Sequence, residues 1–302
     1  EIKLDKIIDI QGMFLNVAIE WLEKEKQRLS QSTYIGKVKV FENDINPILK
    51  NKHIKDIEIK DIIKILEIKQ LKKENMGGSN LGWLESRFHF SFAEYRNPKN
   101  VNFGSLRVLN DDIVHPNSGF DFHPHSNMEI ISYIVNGEIT HEDSMGNKET
   151  LYRGEVQYLS AGDGIYHSEF NNNDNDILRL LQIWIKPPQT NLPKLYGSHR
   201  YKFEERNNKL LNIVSSQKSN SSIKIYQDAN IYVSELSQNT TITHPIDKGR
   251  QIYFVQIEGK SLLNNSINLD FGDACEITDE EYLTINSIEK SHILFIDLPK
   301  DY

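Results

Sequence analysis

The chain has 302 residues, 38% hydrophobic and 26% charged, a composition typical of a soluble globular protein with two or three domains. It has no apolar run near the roughly 18 residues of a membrane span and no signal-peptide pattern, so we expect a cytoplasmic protein without membrane association. Its single cysteine, Cys275, excludes an internal disulfide and a cysteine-based zinc site. The net charge of −8 is uneven, with +2 on residues 1–75 and −10 on the remainder, which argues against general nucleic-acid binding.

Residues 12–73 have the apolar spacing of helices. Phe14, Ala18 and Trp21 belong to a first stripe with the i, i+3, i+4, i+7 pattern of one helix face. A second stripe runs over 34–49 and a third over 61–66. The pattern predicts a small all-α domain over residues 1–68.

The pattern changes near residue 70, where short aromatic and β-branched runs alternate with Gly, Pro, Asn and Asp. The runs predicted as strands are 88–95, 105–109, 129–135, 156–159, 178–185, 222–226, 231–235, 251–256 and 292–296. Many short strands without intervening helices indicate a sandwich or barrel. The strands fall into two clusters, so we predict a mainly β fold with two packed barrels over 69–195 and 196–302.

Two pairs of ligand-type residues stand out in the first predicted barrel. His123 and His125 are two positions apart, and His167 and Glu169 repeat that spacing after a glycine-rich turn. Because residues i and i+2 of a strand face the same side, each pair can enter one cavity. Three imidazoles suit Fe, Cu, Ni and Zn alike, and the carboxylate adds a hard oxygen donor. The sequence therefore predicts one mononuclear divalent metal.

The choice of carboxylate stays open at this point. Glu129 also follows the first histidine pair and is the rival ligand, in which case Glu169 becomes a base beside the metal. His141 lies in a predicted turn and is interpreted as structural. His244 has no His-x-His partner, so the second barrel is predicted to hold no metal.

Several segments together resemble the pirin family over about 70–302. They are 82–84 (GWL), 88–93 (FHFSFA), 106–112 (LRVLNDD), 123–125 (HPH), 141–147 (HEDSMGN), 160–162 (SAG), 164–169 (GIYHSE) and 182–185 (QIWI). The resemblance implies two cupin barrels with one Fe(II)-type site in the N-terminal barrel. It also carries the family's ligand set over to His123, His125, His167 and Glu169, which favours Glu169 over Glu129.

The N-terminal part resembles the SAM-like core-binding domain of phage integrases over about 12–67. The matching segments are 21–34 (WLEKEKQRLSQSTY), 41–49 (FENDINPIL), 54–57 (IKDI) and 61–66 (DIIKIL). The barrel begins where a recombinase catalytic domain would follow, so recombination chemistry is excluded. DNA binding by residues 12–67 is not favoured, because a charge of +2 offers little phosphate neutralisation.

The pirin resemblance implies two functions. Bacterial members are described as quercetin 2,3-dioxygenases, which implies ring opening of a flavonol-like substrate by O₂, with Glu169 as metal ligand and base. Eukaryotic members are described as nuclear cofactors of transcription factors, which implies a non-catalytic, redox-sensing binding module. Fe(II) is favoured through the resemblance, while Cu, Ni, Mn and Zn are compatible with the same ligands.

Overall fold

The computed structural model describes residues 13–41, 45–58, 68–217 and 221–300. It begins with helices α1 (Phe14–Lys26), α2 (Gln31–Val40) and α3 (Asn46–Leu49), followed by a 3₁₀ turn at Ile54–Asp56. The predicted third apolar stripe, 61–66, lies outside the described residues. Ala18 and Leu22 of α1 pack against Phe41, which gives the small helical region its own apolar cluster. None of the helices in the described ranges has the length and apolar content needed to cross a bilayer.

The rest of the described chain is mainly β. The first twelve strands are β1 (Ile68–Leu71), β2 (Gly77–Asn80), β3 (Leu84–Phe88), β4 (Leu106–Val114), β5 (Ser118–His125), β6 (Glu129–Asn136), β7 (Glu138–Asp143), β8 (Lys148–Tyr152), β9 (Glu155–Ser160), β10 (Ile165–Asn171), β11 (Leu178–Ile185) and β12 (Leu195–Arg200). A short helix α4 (Phe203–Arg206) follows. The remaining strands are β13 (Leu211–Ser216), β14 (Ile223–Ile225), β15 (Asn230–Leu236), β16 (Thr241–Pro245), β17 (Arg250–Glu258), β18 (Ser261–Leu263), β19 (Ile267–Leu269), β20 (Ala274–Ile277), β21 (Tyr282–Ser287) and β22 (Ser291–Pro299).

The strands form two barrels of the same design. In the first, a sheet ordered β12-β9-β6-β11-β4-β3-β2 faces a sheet ordered β5-β10-β7-β8. In the second, β1-β20-β17-β22-β15-β13-β14 faces β16-β21-β18-β19. The prediction of two cupin barrels after a small helical region is confirmed. One run was misplaced: 88–95 is strand only at Phe88, where β3 ends.

The two large sheets take an edge strand from different parts of the sequence. β1 precedes the first barrel in sequence but pairs with β20 of the second. β12 follows the first barrel's other strands and pairs with β9, closing that sheet. The predicted boundaries at 68/69 and 195/196 fall close to these two edge strands, and they stay a prediction.

The largest apolar cluster lies between the two barrels. It combines side chains of the first barrel, such as Tyr133 and Ile183, with Tyr253 and Leu294 of the second. Because burying apolar surface is the dominant favourable term in association, this shared core fixes the barrels against each other.

Candidate metal centre

Three strands of the first barrel carry the candidate ligands. β5 pairs antiparallel with β10, and His123 lies opposite His167. The register of this pairing shifts between His167 and Glu169, because Glu169 lies opposite Phe120. On its other edge β10 pairs with β7, and Glu169 lies opposite His141. Strand pairing therefore brings together residues that are far apart in the sequence.

Three imidazoles form the first group of potential ligands. The ligand atoms of His123, His125 and His167 all lie within 4.8 Å of one another. The Nδ1–H of His123 donates to the carbonyl oxygen of Asp121 at 2.7 Å, which leaves its Nε2 for a ligand. Such a hydrogen bond commonly fixes the ring of a metal-binding histidine.

His167 has the burial and the unmet bonding capacity of a metal ligand. It is 1% exposed, and neither of its ring nitrogens has a hydrogen-bond partner. Buried polar atoms without partners cost free energy, and a metal ion would satisfy this one. Burial, reinforced by the neighbouring His123, lowers the pKa of His167 to about 3. Burial, followed by the charges of His167 and His123, lowers the pKa of His125 to about 4. Both rings are therefore neutral near pH 7, the form that binds metals.

Glu169 is buried among amide and hydroxyl groups, at 2% exposure. Its Oε1 accepts hydrogen bonds from Ser132 Oγ at 2.9 Å and from the side-chain amide of Gln157. Its Oε2 accepts from Gln182 Nε2 at 2.7 Å. These donors, on three neighbouring strands, orient the carboxylate in the barrel interior.

Glu169 belongs to a second group, which sequence reasoning missed. Its ligand atom and those of His141 and His167 lie within 4.8 Å of one another. His141 is 0% exposed and stacks on Tyr196 at 4.6 Å between ring centroids. A signal was present in the sequence, because His141 and Asp143 repeat the two-residue spacing of the other ligand pairs. The structure thus places three histidines in one group and Glu169 in an adjoining one that shares His167.

Glu129, the rival carboxylate, makes contacts at the junction of the two barrels. It accepts hydrogen bonds from Tyr158 Oη at 2.7 Å and from the backbone N–H groups of Tyr226 and Gln227 at 2.6 and 2.9 Å. Burial raises its pKa, although these hydrogen bonds oppose the rise. Among the described residues, neither group of potential ligands includes Glu129.

The aromatic residues near the candidate ligands lie in different places. Trp184 packs edge-on against His125, with 4.8 Å between ring centroids, and both Trp184 and Met128 pack against the apolar cluster around Ile130. Phe122 is 52% exposed and lies with Ser168 on the outer face of the sheet. Trp184 therefore borders the three-histidine group, and Phe122 does not.

Comparison with known proteins identifies three parts of the chain. Residues 70–185 match the family model described as Pirin, and 212–298 match the model described as quercetinase C-terminal cupin domain. Residues 13–69 match the model described as phage integrase, N-terminal SAM-like domain. Fold and family models together define a two-barrel cupin protein with an integrase-like helical region in front.

Relatives and solved structures agree with this class. The pirin-like protein of Caulobacter vibrioides is 38% identical over 225 residues, covering 74% of this chain and 96% of that protein. A protein of Escherichia coli strain K12 named quercetin 2,3-dioxygenase is 37% identical, covering 76% of this chain and 98% of its own. The structure of the bacterial pirin YhhW from Escherichia coli in complex with nickel(II) is similar with a TM-score of 0.72 and 35% identity, covering 77% of this chain and 99% of that one. The chain belongs to the pirin family.

Proposed function

We propose that this protein is a metal-dependent dioxygenase that opens the ring of a quercetin-like flavonol with O₂. The metal is one divalent ion, and Fe(II) is the favoured one. Its proposed ligands are His123, His125, His167 and Glu169. The observation that carries the proposal is the buried His167, whose two ring nitrogens are unpartnered beside His123 and His125. A relative named quercetin 2,3-dioxygenase and a nickel-bound pirin structure supply the reaction class and the precedent for a metal.

The exposure of the ligands indicates from which side a substrate arrives. His123 and His125 are half-buried, whereas His167 and Glu169 are buried. A small molecule can therefore reach the group from the β5 side. A site that served only to sense redox state would not need this opening, so the exposure favours catalysis over the non-catalytic module.

The residues of the chain have separate tasks in the proposed reaction. When bound, the metal supplies a Lewis acid for the flavonol hydroxyl and a redox centre for O₂. Glu169 accepts the hydroxyl proton, because its carboxylate lies beside His167 and is held in place by hydrogen-bond donors. Trp184 makes edge-to-face contacts with His125 and Phe92, and it offers an aromatic wall for a flat substrate.

The test combines elemental analysis with oxygen uptake on quercetin. We expect about one equivalent of a redox-active metal in the wild type, and loss of both metal and oxygen uptake in His123→Ala. Glu169→Gln should lower oxygen uptake by roughly 10²–10⁴-fold, the usual contribution of a general base. Glu142→Gln is the matched control, because Glu142 lies on the same sheet but pairs with Lys148 at the surface. Protein loaded with iron, copper or nickel that takes up no oxygen would refute the dioxygenase and favour the sensing module.

A further inference from the structure

We propose that a cleft between the two barrels binds a small organic carboxylate through Lys73 and Arg87. The cleft has a volume of about 480 Å³. Strands β2, β3 and β4 of the first barrel line it, together with Phe271 from the turn after β19 of the second barrel. A volume in this range is typical of sites for small molecules.

The cleft and the candidate metal centre lie on opposite faces of one sheet. Asp111 on β4 lines the cleft, whereas the next residue, Asp112, is close enough to Glu169 to be affected by its charge. Because successive side chains of a strand point to opposite faces, Asp111 points away from the barrel interior. A ligand in the cleft would therefore not touch the metal centre.

Two cationic side chains come together at the turn between β19 and β20. Gly272 lies in this turn with a φ of +81°, and a Cβ placed there would lie 3.0 Å from Arg87 Nη1 and 3.3 Å from Lys73 Cδ. Arg87 comes from β3 and Lys73 from the segment after β1, so the fold brings them to one glycine from different parts of the chain. Like charges held close together repel each other, and a bound anion would relieve that repulsion.

The carboxylates that line the cleft are engaged by other partners than Arg87. Asp111 accepts hydrogen bonds from Arg179 Nε at 2.8 Å and from Arg179 Nη2 at 2.7 Å. Arg87 Nη1 is left 3.8 Å from Asp111 Oδ2, which is beyond hydrogen-bond distance. Glu85 lies 3.1 Å from His115 Nε2 at the surface. The guanidinium of Arg87, which is 33% exposed, therefore has donors to offer a ligand.

The carboxylates of the second barrel near Lys73 are also occupied. Asp273 pairs with Lys72 at 2.7 Å, and Asp270 is shared between Lys260 at 2.8 Å and Lys72 at 3.8 Å. Among the described residues, Lys73 belongs to none of these ion pairs. Its backbone N–H donates to Asp273 Oδ1 at 3.0 Å, which fixes the main chain beside the cleft. The ammonium group of Lys73 is therefore held near the cleft with its charge available.

The apolar part of the lining favours an organic anion over an inorganic one. Phe271 is 41% exposed, and its ring centroid lies 4.8 Å from Arg179 Cζ and 5.1 Å from Lys73 Nζ. Cation–π contacts of this kind hold the ring in place. Met76 and Ile113 also line the cleft. An arginine can bind a carboxylate through two parallel N–H groups, while these apolar side chains contact the body of the ligand.

The experiment measures the binding of benzoate to the full chain by isothermal titration, with metal-loaded and with metal-free protein. Benzamide is the neutral probe of the same shape and should bind at least about tenfold more weakly, because charge-assisted hydrogen bonds are lost. Arg87→Gln and Lys73→Gln should each weaken benzoate binding by roughly 10–100-fold for the same reason. Lys148→Gln is the matched control, because it removes an exposed lysine that pairs with Glu142 on the other sheet of the first barrel. This control should bind benzoate like the wild type.

Benzoate should bind equally well with and without metal, since the cleft does not touch the metal centre. Binding that disappears with the metal would place benzoate at the metal centre and overturn the cleft site. Wild-type protein that binds no benzoate, or that binds benzamide equally well, would overturn it too, whatever the oxygen uptake on quercetin shows. Arg87 and Lys73 are both partly exposed, so each variant should keep the wild-type denaturation midpoint. If one of them unfolds, unchanged benzoate affinity in the other still contradicts the proposal.

Inorganic phosphate is the last probe. It should bind more weakly than benzoate, because it has no apolar body to contact Phe271. Phe271→Leu should accordingly weaken benzoate and leave phosphate unchanged. Phosphate that binds as tightly as benzoate would show that the cleft recognises charge alone, and it would contradict an organic ligand.

Discussion

The two barrels share the order of their central strands but differ in the side chains on the inner side of those strands. In the first barrel, Ser132 on β6 lies opposite Gln157 on β9 and Gln182 on β11. All three donate hydrogen bonds to Glu169. This polar layer separates two apolar clusters, one around Ile134 and one around Ile130.

The corresponding strands of the second barrel bury apolar side chains instead. Phe254 on β17 lies opposite Cys275 on β20 and Phe295 on β22. The inner positions of β21 are Leu283 and Ile285, where β10 of the first barrel carries the ligands. One continuous apolar cluster results.

The difference suggests that the first barrel carries the chemistry and the second mainly contributes stability. Buried polar groups are tolerated only when they are hydrogen-bonded, so the first barrel needs a connected network to hold a carboxylate inside. At the corresponding positions among its described residues, the second barrel packs apolar side chains instead. The predictions below test this division, from the largest expected effect to the smallest.

Removing the shared ligand should have the largest effect. His167→Ala should lower metal affinity by more than about 100-fold, above the range for lost supporting contacts, because His167 belongs to both ligand groups. Isothermal titration of metal-free protein measures the loss. Leu283→Ala on β21 is the control and should bind metal like the wild type. A metal affinity that fell equally in both variants would mean that the barrels do not divide these tasks.

A substitution in the second barrel should lower stability without changing metal binding. Phe254→Ala should lower the free energy of unfolding by about 3–5 kcal/mol, because it leaves a cavity among packed side chains. Chemical denaturation gives the change, and metal binding by the folded protein should stay unaffected. A loss below about 1 kcal/mol would show that this interior is loosely packed.

The polar interior of the first barrel should also cost stability at alkaline pH. Burial raises the pKa of Asp112 to about 7, with help from Asp111 and Glu169 and against a hydrogen bond from Ser86. Because the same carboxyl ionises near 3.8 when unfolded, its contribution to stability is complete below that pH and is lost as pH rises towards 7. Asp112→Asn should therefore match the wild type near pH 4 and unfold at higher denaturant at pH 8. The gain should be roughly 1–4 kcal/mol, because a tenfold difference in proton affinity corresponds to about 1.4 kcal/mol. Equal denaturation midpoints at pH 8 would contradict the assignment.

A smaller loss of stability is expected when Ser132, one of the hydrogen-bond donors to Glu169, is replaced. Ser132→Ala should cost about 1 kcal/mol, because Glu169 keeps its two amide donors. Denaturation measures the cost, and oxygen uptake on quercetin shows whether the carboxylate has moved. A cost of several kcal/mol would mean that Ser132 is essential to the network.

The last prediction is that the helical region does not bind DNA. With +2 on residues 1–75 and −10 on the rest, the full chain should give no retarded band with duplex DNA at low salt. A salt-sensitive shift would revive a DNA-binding role for residues 12–67.

Local patterns in the sequence determined much of this protein. The two-residue spacing of His123-Pro-His125 and of His167-Ser-Glu169 predicted ligands on one face of a strand, because strand side chains alternate with period two. The succession of short strands without helices predicted barrels, and two clusters of strands predicted two of them. The two barrels are confirmed, because the pattern that predicts a strand depends only on neighbours along the chain; the ligand set stays a prediction.

Tertiary structure alone decided which distant residues meet. The pairing of β7 with β10 places His141 opposite Glu169, and the register of β5 against β10 shifts between His167 and Glu169. Because the two barrels pack together, the backbone N–H groups of Tyr226 and Gln227 donate hydrogen bonds to the Glu129 carboxylate. Strand register and barrel docking depend on contacts between segments far apart in sequence, so no local periodicity encodes them.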